Sequence, residues 1–481
     1  MTDENTSFDP SFLAEVEVDK DDVWKGDALG RKAFAKPLTD LVSNARNAPF
    51  CIAVDGEWGS GKTFFLKRWC AEFSKQGKAI YFNAWEDDFH ADPLIAIIGQ
   101  LWGAIENGVL NEICDSVKEN WRTLAANAVL RCSGSGFTSS DFQTASGKTV
   151  EEYLEARRSI DTLQKRLREL ANATREKTEK PLVFIVDELD RCRPTFAIEL
   201  LERVKHVVGV PGIVFVFGIN QKGLEKSIQS VYGKIDARDY LRRFFDVGMT
   251  LPQARVSNYC QYLINKHKIQ DAIAESNIHR RQATGVSADW SGFVEKMPTM
   301  VSLLGLSLRQ IEQAIRMLLV ILHNKEVANE PRTRQFEEHL GVFILLRIKD
   351  RDLYEKFTNE NYSVKATMDD MLHFLPKAED GDYPADGLVI IIVRAFYLCY
   401  DVEEYDDIIQ ELRASRNSKE LTQERFIPKI IVEMKNENIR QQLAGWVEHV
   451  SNIRRWGDDG HHMPLQKRIA SFLEWGDNWQ S

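Results

Sequence analysis

A short apolar run, Phe50-Cys51-Ile52-Ala53-Val54, leads into Gly56-Glu57-Trp58-Gly59-Ser60-Gly61-Lys62-Thr63, and residues 61–76 then carry a helical pattern closed by Gly77. The run has the composition of a strand buried on both faces. Gly56-xxxx-Gly61-Lys62-Thr63 is the Walker A phosphate-loop pattern, which carries meaning when a strand precedes it and a helix follows. Each residue type has a task there. The glycines let successive amides turn inward as an anion nest. The helix directs its positive end at the phosphates. Lys62 can reach β- and γ-phosphates, and Thr63 offers a hydroxyl to Mg²⁺. The candidate nucleotide contacts are therefore Gly56, Glu57, Trp58, Gly59, Ser60, Gly61, Lys62, Thr63 and Phe64. A second Gly147-Lys148-Thr149 is set aside, because Phe142 stands where the first glycine would be and no buried strand precedes it.

Around this loop the chain alternates. Residues 27–47 predict a helix, with Leu38, Leu41 and Val42 at helical spacing. Strands are predicted at Ala79-Ile80-Tyr81-Phe82, at Leu182-Val183-Phe184-Ile185-Val186 and at Ile213-Val214-Phe215-Val216-Phe217. Asp92-Pro93 opens a helix. Strands alternating with helices indicate an α/β fold, a parallel sheet covered on both faces. The Ser/Gly/Thr-rich stretch 133–149 predicts a linker or mobile loop. Ile160, Leu163, Leu167 and Leu170 then form a heptad-like seam, expected to pack on its own domain rather than in a coiled coil. From about residue 255 strand signals fade, and spacings such as Ile311, Ile315, Leu318, Leu319 and Leu322 are helical to the end.

Catalytic candidates lie at the ends of the predicted strands. Asp187 ends an apolar strand expected beside the phosphate-loop strand, where an acid holds the Mg²⁺ hydration shell. Glu188 follows, placed to polarise an attacking water; Asp190 is the rival base. Asn220 ends the strand from Ile213. It either positions that water or caps helix 221–230. Arg242 and Arg243 can reach the γ-phosphate on a neighbouring copy or serve as ordinary surface or ion-paired arginines. Arg309 has the same two readings, a sensor of the phosphates or an exposed helix residue.

Bulk properties narrow the classes. Lys and Arg number 62 against 72 Asp and Glu, a net charge of −10. That argues against a protein that coats nucleic acid, although a local basic patch stays possible. Residues 1–22 carry eight acids and one lysine and predict a mobile acidic N-terminus. Seven cysteines without a CxxC pair indicate neither a disulfide framework nor a zinc site and fit a reducing cytoplasm. No signal peptide is expected. The longest apolar run, Leu388 to Val393, is too short to span a bilayer, so no membrane is expected as a partner.

Several further segments complete a pattern: Asp27-Ala28-Leu29-Gly30-Arg31, Phe82-Asn83-Ala84-Trp85-Glu86 with Asp92-Pro93-Leu94, Asp187-Glu188-Leu189-Asp190-Arg191-Cys192 with Pro194, and Tyr240-Leu241-Arg242-Arg243-Phe244-Phe245 before Leu251-Pro252. Over about residues 24–325 the chain resembles the KAP family of P-loop NTPases. The resemblance implies an additional-strand (ASCE-type) ATPase core with ATP and Mg²⁺ as cofactors, and bacterial members imply a role in phage exclusion. Family members more often carry Asp at the position of Glu188, and the carboxylate is kept. Many members insert transmembrane helices between the two Walker motifs, but here about 101–180 is polar.

The expected organisation is an acidic N-terminus at 1–22, a P-loop core at 23–253 with a polar helical insertion at about 101–180, a helical lid or sensor domain at 254–330, and a C-terminal helical domain at 331–481. Trp85 is expected to pack in the core rather than act as a lid. His461-His462 is expected to be a solvated loop. Arg454-Arg455-Trp456 with Lys467, Arg468 and Trp475 is a weak nucleic-acid candidate, offset by nearby acids. Three functions compete: an ATPase switch working as a homo-oligomer or on a protein partner; a nucleotide-holding scaffold with little turnover; and a toxic enzyme hidden in residues 335–481. ATP is favoured over GTP because Asn220-Gln221-Lys222-Gly223 misses the guanine-binding Asn-Lys-x-Asp pattern.

Overall fold

The computed structural model describes residues 18–45, 49–90, 92–106, 109–110, 147–253, 255–284, 291–323 and 336–358. The calls on residues 1–17, on 111–146 and on the C-terminal domain beyond 358, including His461-His462 and Arg454-Arg455-Trp456, fall outside them. The chain divides between Ala254 and Arg255 into two compact units.

The sheet unit runs in the order α1 (Lys32–Asn44), β1 (Phe50–Asp55), α2 (Lys62–Phe73), β2 (Lys78–Asn83), α3 (Pro93–Glu106), α4 (Gly147–Thr178), β3 (Leu182–Asp187), α5 (Pro194–Arg203), β4 (Ile213–Ile219), α6 (Gln221–Tyr232), α7 (Ala237–Leu241) and β5 (Val247–Thr250). The five strands are parallel, in the order β2-β3-β4-β1-β5. Both faces are covered. One apolar cluster gathers Phe82, Phe184, Phe215 and Phe217 with α3, α4 and α5, while the other gathers Ile52, Val54, Ile185 and Val216 with α1 and α2. Leu163, Leu167 and Leu170 of α4 lie fully inside the first cluster, which is where the heptad-like seam goes.

Four expectations are corrected. β3 does not lie beside β1: β4 stands between them and pairs with both. All seven residues of β4 are buried, as the centre of a doubly covered sheet requires. The first helix begins at Lys32, not at residue 27, because the Asp27 carboxylate accepts the amides of Arg31 and Lys32, both at 2.9 Å, and makes 27–31 a turn. The end of the acidic lead-in is structured. Asp19 accepts the amides of Asp21 and Asp22 and pairs with Lys25 at 2.8 Å, and the hydrogen bond from that ammonium holds its carboxyl at about 2. Residues 147–149, expected to close a linker, open α4.

The helical unit contains α8 (Val256–Lys266), α9 (Ile269–Thr284), α10 (Ser291–Leu303), α11 (Leu308–His323), α12 (Phe336–Lys349) and α13 (Arg351–Thr358). On α11 the apolar stripe Ile311, Ile315, Leu318, Leu319 and Leu322 is buried. Among the described residues no helix is long and apolar enough to cross a membrane.

Candidate nucleotide site

The carboxyl ends of β1, β3 and β4 present the residues singled out from the sequence. Gly61 enters α2 at φ +86°, a left-handed conformation that glycine adopts without strain. The first amides of α2 have no carbonyl one turn back to bond, and so are available to an anion. The loop folds tightly over Gly56, where a Cβ would stand 2.7 Å from Ser60 Oγ. That hydroxyl is itself buried without a partner among the described residues. Lys62 is buried; its Nζ donates to the carbonyls of Gly56 (2.7 Å) and Glu57 (3.2 Å). Burial pulls its pKa down, opposed by the charges of Asp190, Asp187 and Asp55. Phe64 lies outward, under the Arg68 guanidinium at 3.6 Å. Glu57 is exposed and paired with Lys222 at 3.6 Å.

Asp187 is fully buried at the tip of β3. Its carboxylate accepts the Tyr81 hydroxyl at 2.8 Å and the Glu188 amide at 2.9 Å. Desolvation raises its pKa against those bonds. Thr63 and Asp187, the two expected metal contacts, are neighbours, and the Thr63 side chain works with Tyr81 to hold the Asp187 pKa down against that rise. Gly218 on the intervening strand makes room for Asp187, since a Cβ there would stand 2.4 Å from Leu66 Cδ1 and 2.6 Å from Asp187 Oδ1.

Glu188 adopts φ 60°, ψ 24°, a conformation few non-glycine residues take and one associated with functional turns. It opens the short 3₁₀ turn Leu189–Arg191. Its carboxylate pairs with Arg191 at 2.8 Å, while the nearby Asn83 side-chain amide donates to Glu86 Oε1 at 2.7 Å. Burial raises its pKa, with Asp187 and Asp190 in the same direction and Arg191 and Asn83 opposing. Asn220 Oδ1 accepts the Gly223 amide at 3.1 Å, so its side chain caps α6. Asp55 at the tip of β1 accepts the Gln221 amide at 2.8 Å and ties the same corner to the loop strand.

The remaining candidates are exposed. Arg242 is exposed and paired with Asp239 at 3.7 Å, and the Arg243 guanidinium sits 5.8 Å from the Tyr240 ring. Arg309 is exposed on the first turn of α11 in the helical unit. Trp85 is not a core residue: it is 52% exposed, with the Arg191 guanidinium 5.5 Å from its ring. It sits in the turn after β2, beyond the reach of either cluster.

Sequence reasoning missed Tyr81, the role of Asn83, Arg191, Gly218 and Arg31. Tyr81 and Asn83 belong to β2, whose pairing with β3 sets Asn83 opposite Asp187. Arg31, fully buried, donates to the carbonyls of Ser60 (2.6 Å) and Pro252 and anchors the loop from behind. The quoted Asp27-to-Arg31 segment was the available signal for Arg31.

Comparison with known proteins follows the same lines. The KAP family P-loop domain matches residues 31–335, well over half of the chain. No curated protein matches the sequence. Similar solved structures include the ORC2 protein of Aeropyrum pernix (15% identity, 80% of this chain and 95% of that one, TM-score 0.30). Others are Drosophila ORC bound to DNA and Cdc6 (10%, 92% and 73%, TM-score 0.33) and Cdc6p of Pyrobaculum aerophilum (11%, 98% and 99%, TM-score 0.31). The phosphate loop, the strand order with one strand between β1 and β3, and the family match together identify the chain as a member of the KAP family of P-loop NTPases.

Proposed function

We propose that the protein binds ATP with Mg²⁺ and hydrolyses it, using the cycle as a switch. The observation that carries this reading is the gathering of buried Lys62 and buried Asp187, with Thr63 beside them, at the mouth of the phosphate loop, and Glu188 next in the chain. The loop amides and Lys62 hold the polyphosphate, and the buried Ser60 hydroxyl is one more donor facing into the loop. Thr63 and Asp187 suit a hard, oxygen-liganded cation. Bound there, Mg²⁺ supplies charge neutralisation for the phosphate oxygens. Glu188, its carboxylate partly desolvated, orients the attacking water and takes its proton. Asn220, Arg242, Arg243 and Arg309 remain candidates for contacting the phosphates. The two exposed arginines of the sheet unit suit a neighbouring copy, which makes a homo-oligomer the preferred assembly. The phage-exclusion role implied by the family rests on analogy alone.

Phosphate release by the wild-type chain and by Glu188→Gln tests the reading. Turnover is expected to drop by about a hundredfold or more while nucleotide is retained. Undiminished turnover in the variant removes Glu188 from the chemistry.

One observation favours a second reading, a nucleotide-holding scaffold with little turnover. The Glu188 carboxylate is already engaged by Arg191 at 2.8 Å. Tight ATP binding with negligible phosphate release, alone and as a concentrated assembly, would select it.

A further inference from the structure

Trp58 is a large aromatic residue on the crest of the phosphate loop and is 56% exposed. It is nevertheless held along one edge. Its Nε1–H donates to Asp190 Oδ2. The ring lies over the first turn of α6, so close that a Cβ on Gly223 would stand 3.0 Å from Trp58 Cζ2. Glycine at 223 is what lets the indole lie flat there. Asp190 is 8% exposed, and among the described residues its other oxygen is buried with no hydrogen-bond partner. A buried carboxylate with one donor is costly, and such groups persist where they are used. Asp190 also exerts the strongest carboxylate influence on Lys62.

These contacts join three pieces of the site. Trp58 belongs to the loop that grips phosphate. Asp190 belongs to the 3₁₀ turn that begins at Glu188. Gly223 belongs to the helix capped by Asn220. We infer that Trp58 and Asp190 are positioning residues: their hydrogen bond fixes the crest of the phosphate loop to the turn bearing Glu188, so that the gripped nucleotide and the strand-end carboxylate share one frame. Asp190 then acts through the indole and is not the base. The inference rests on the hydrolysis reading, and its test separates the two.

The full-length chain is labelled with 5-fluorotryptophan, and the Trp58 signal is assigned as the one lost in Trp58→Phe. Phosphate release is measured in parallel on unlabelled protein. Asp190→Ala is expected to move the Trp58 signal, whereas Asp190→Asn, which still accepts from the indole, is expected to keep it nearer its wild-type position. W58F and D190A are each expected to lower kcat by about tenfold, the worth of one hydrogen bond to a charged group, with KM changed less than about threefold. The double variant is expected to lose no more than either single one. D190N is expected to retain several-fold more turnover than D190A. A Trp58 signal indifferent to D190A overturns the link. So do additive losses in the double variant, or a D190N as inactive as D190A beside an active W58F, which would make Asp190 act on the water directly. If the wild-type chain releases no phosphate, the hydrolysis reading fails on its own and the fluorine signal alone decides whether the link exists.

Discussion

The two units bury different things. Every buried side chain among the described residues that carries a charge, Arg31, Lys62, Asp187 and Asp190 among them, belongs to the sheet unit. The buried side chains among the described residues of the helical unit are aliphatic, aromatic or sulfur-bearing. Apolar burial stabilises a fold, at roughly 25 cal/mol per Å². A desolvated charge works against it unless fully paired, and such groups collect where chemistry is done. The contrast teaches that the described part of the helical unit is built for packing, while the sheet unit carries a cost in stability at one edge of its strands in return for a site.

The most severe test of that contrast is Lys62→Ala. Nucleotide affinity is expected to fall by about a hundredfold or more, since charged contacts of this kind are worth roughly 2–5 kcal/mol. The melting temperature without nucleotide should hold or rise, because the lysine is desolvated. Calorimetric titration and thermal unfolding read both, and unchanged affinity would break the comparison. Leu318→Ala in α11 is the mirror experiment. Loss of a fully buried leucine is expected to cost about 2–5 kcal/mol of stability and leave nucleotide affinity in place. A smaller effect is expected for Gly218→Ala. Its added carbon would press on Leu66 Cδ1 and Asp187 Oδ1, costing about 1–3 kcal/mol and weakening Mg²⁺-dependent binding more than Mg²⁺-independent binding.

The smallest effect concerns pH. Burial, then the charges of Lys266 and Arg316, lower the pKa of His267 in the helical unit to about 4. The unfolded chain, with histidine near 6.5, takes up that proton first. The histidine's contribution is therefore fully present above pH 6.5 and is lost as pH falls towards 4. His267→Gln is expected to flatten the stability profile across that window, by a modest amount because the side chain is only partly buried. An unaltered slope in denaturant titrations at pH 6.5 and 4.5 would assign the acid sensitivity elsewhere.

Much of the fold could be seen in advance because hydrophobic period reports element type. Phe50 to Val54 and Ile213 to Phe217 are strands by composition alone, and both extend only slightly further in the structure. Neighbourhood is a different matter. Nothing local in Leu182 to Val186 says that its partner is β4 rather than β1, so the expected adjacency was wrong. The site divides along the same line. Lys62, Thr63, Asp187 and Glu188 stand in contiguous motifs. Tyr81 and Asn83 approach Asp187 and Glu188 only through the pairing of β2 with β3, which no short pattern encodes. Trp85 misled because aromatic residues usually anchor cores. In a turn past the strand tip it has no core to enter, and a cation covers its face instead.

The strand inserted between β1 and β3 has a metric consequence. Neighbouring strands run about 4.8 Å apart, so the tips carrying the phosphate loop and Asp187-Glu188 are separated by two such intervals, about 9.6 Å. Direct neighbours would leave about half that width. β4 thus acts as a spacer between the two tips, and at Gly218 it presents the residue with the least side chain to crowd Leu66 and Asp187.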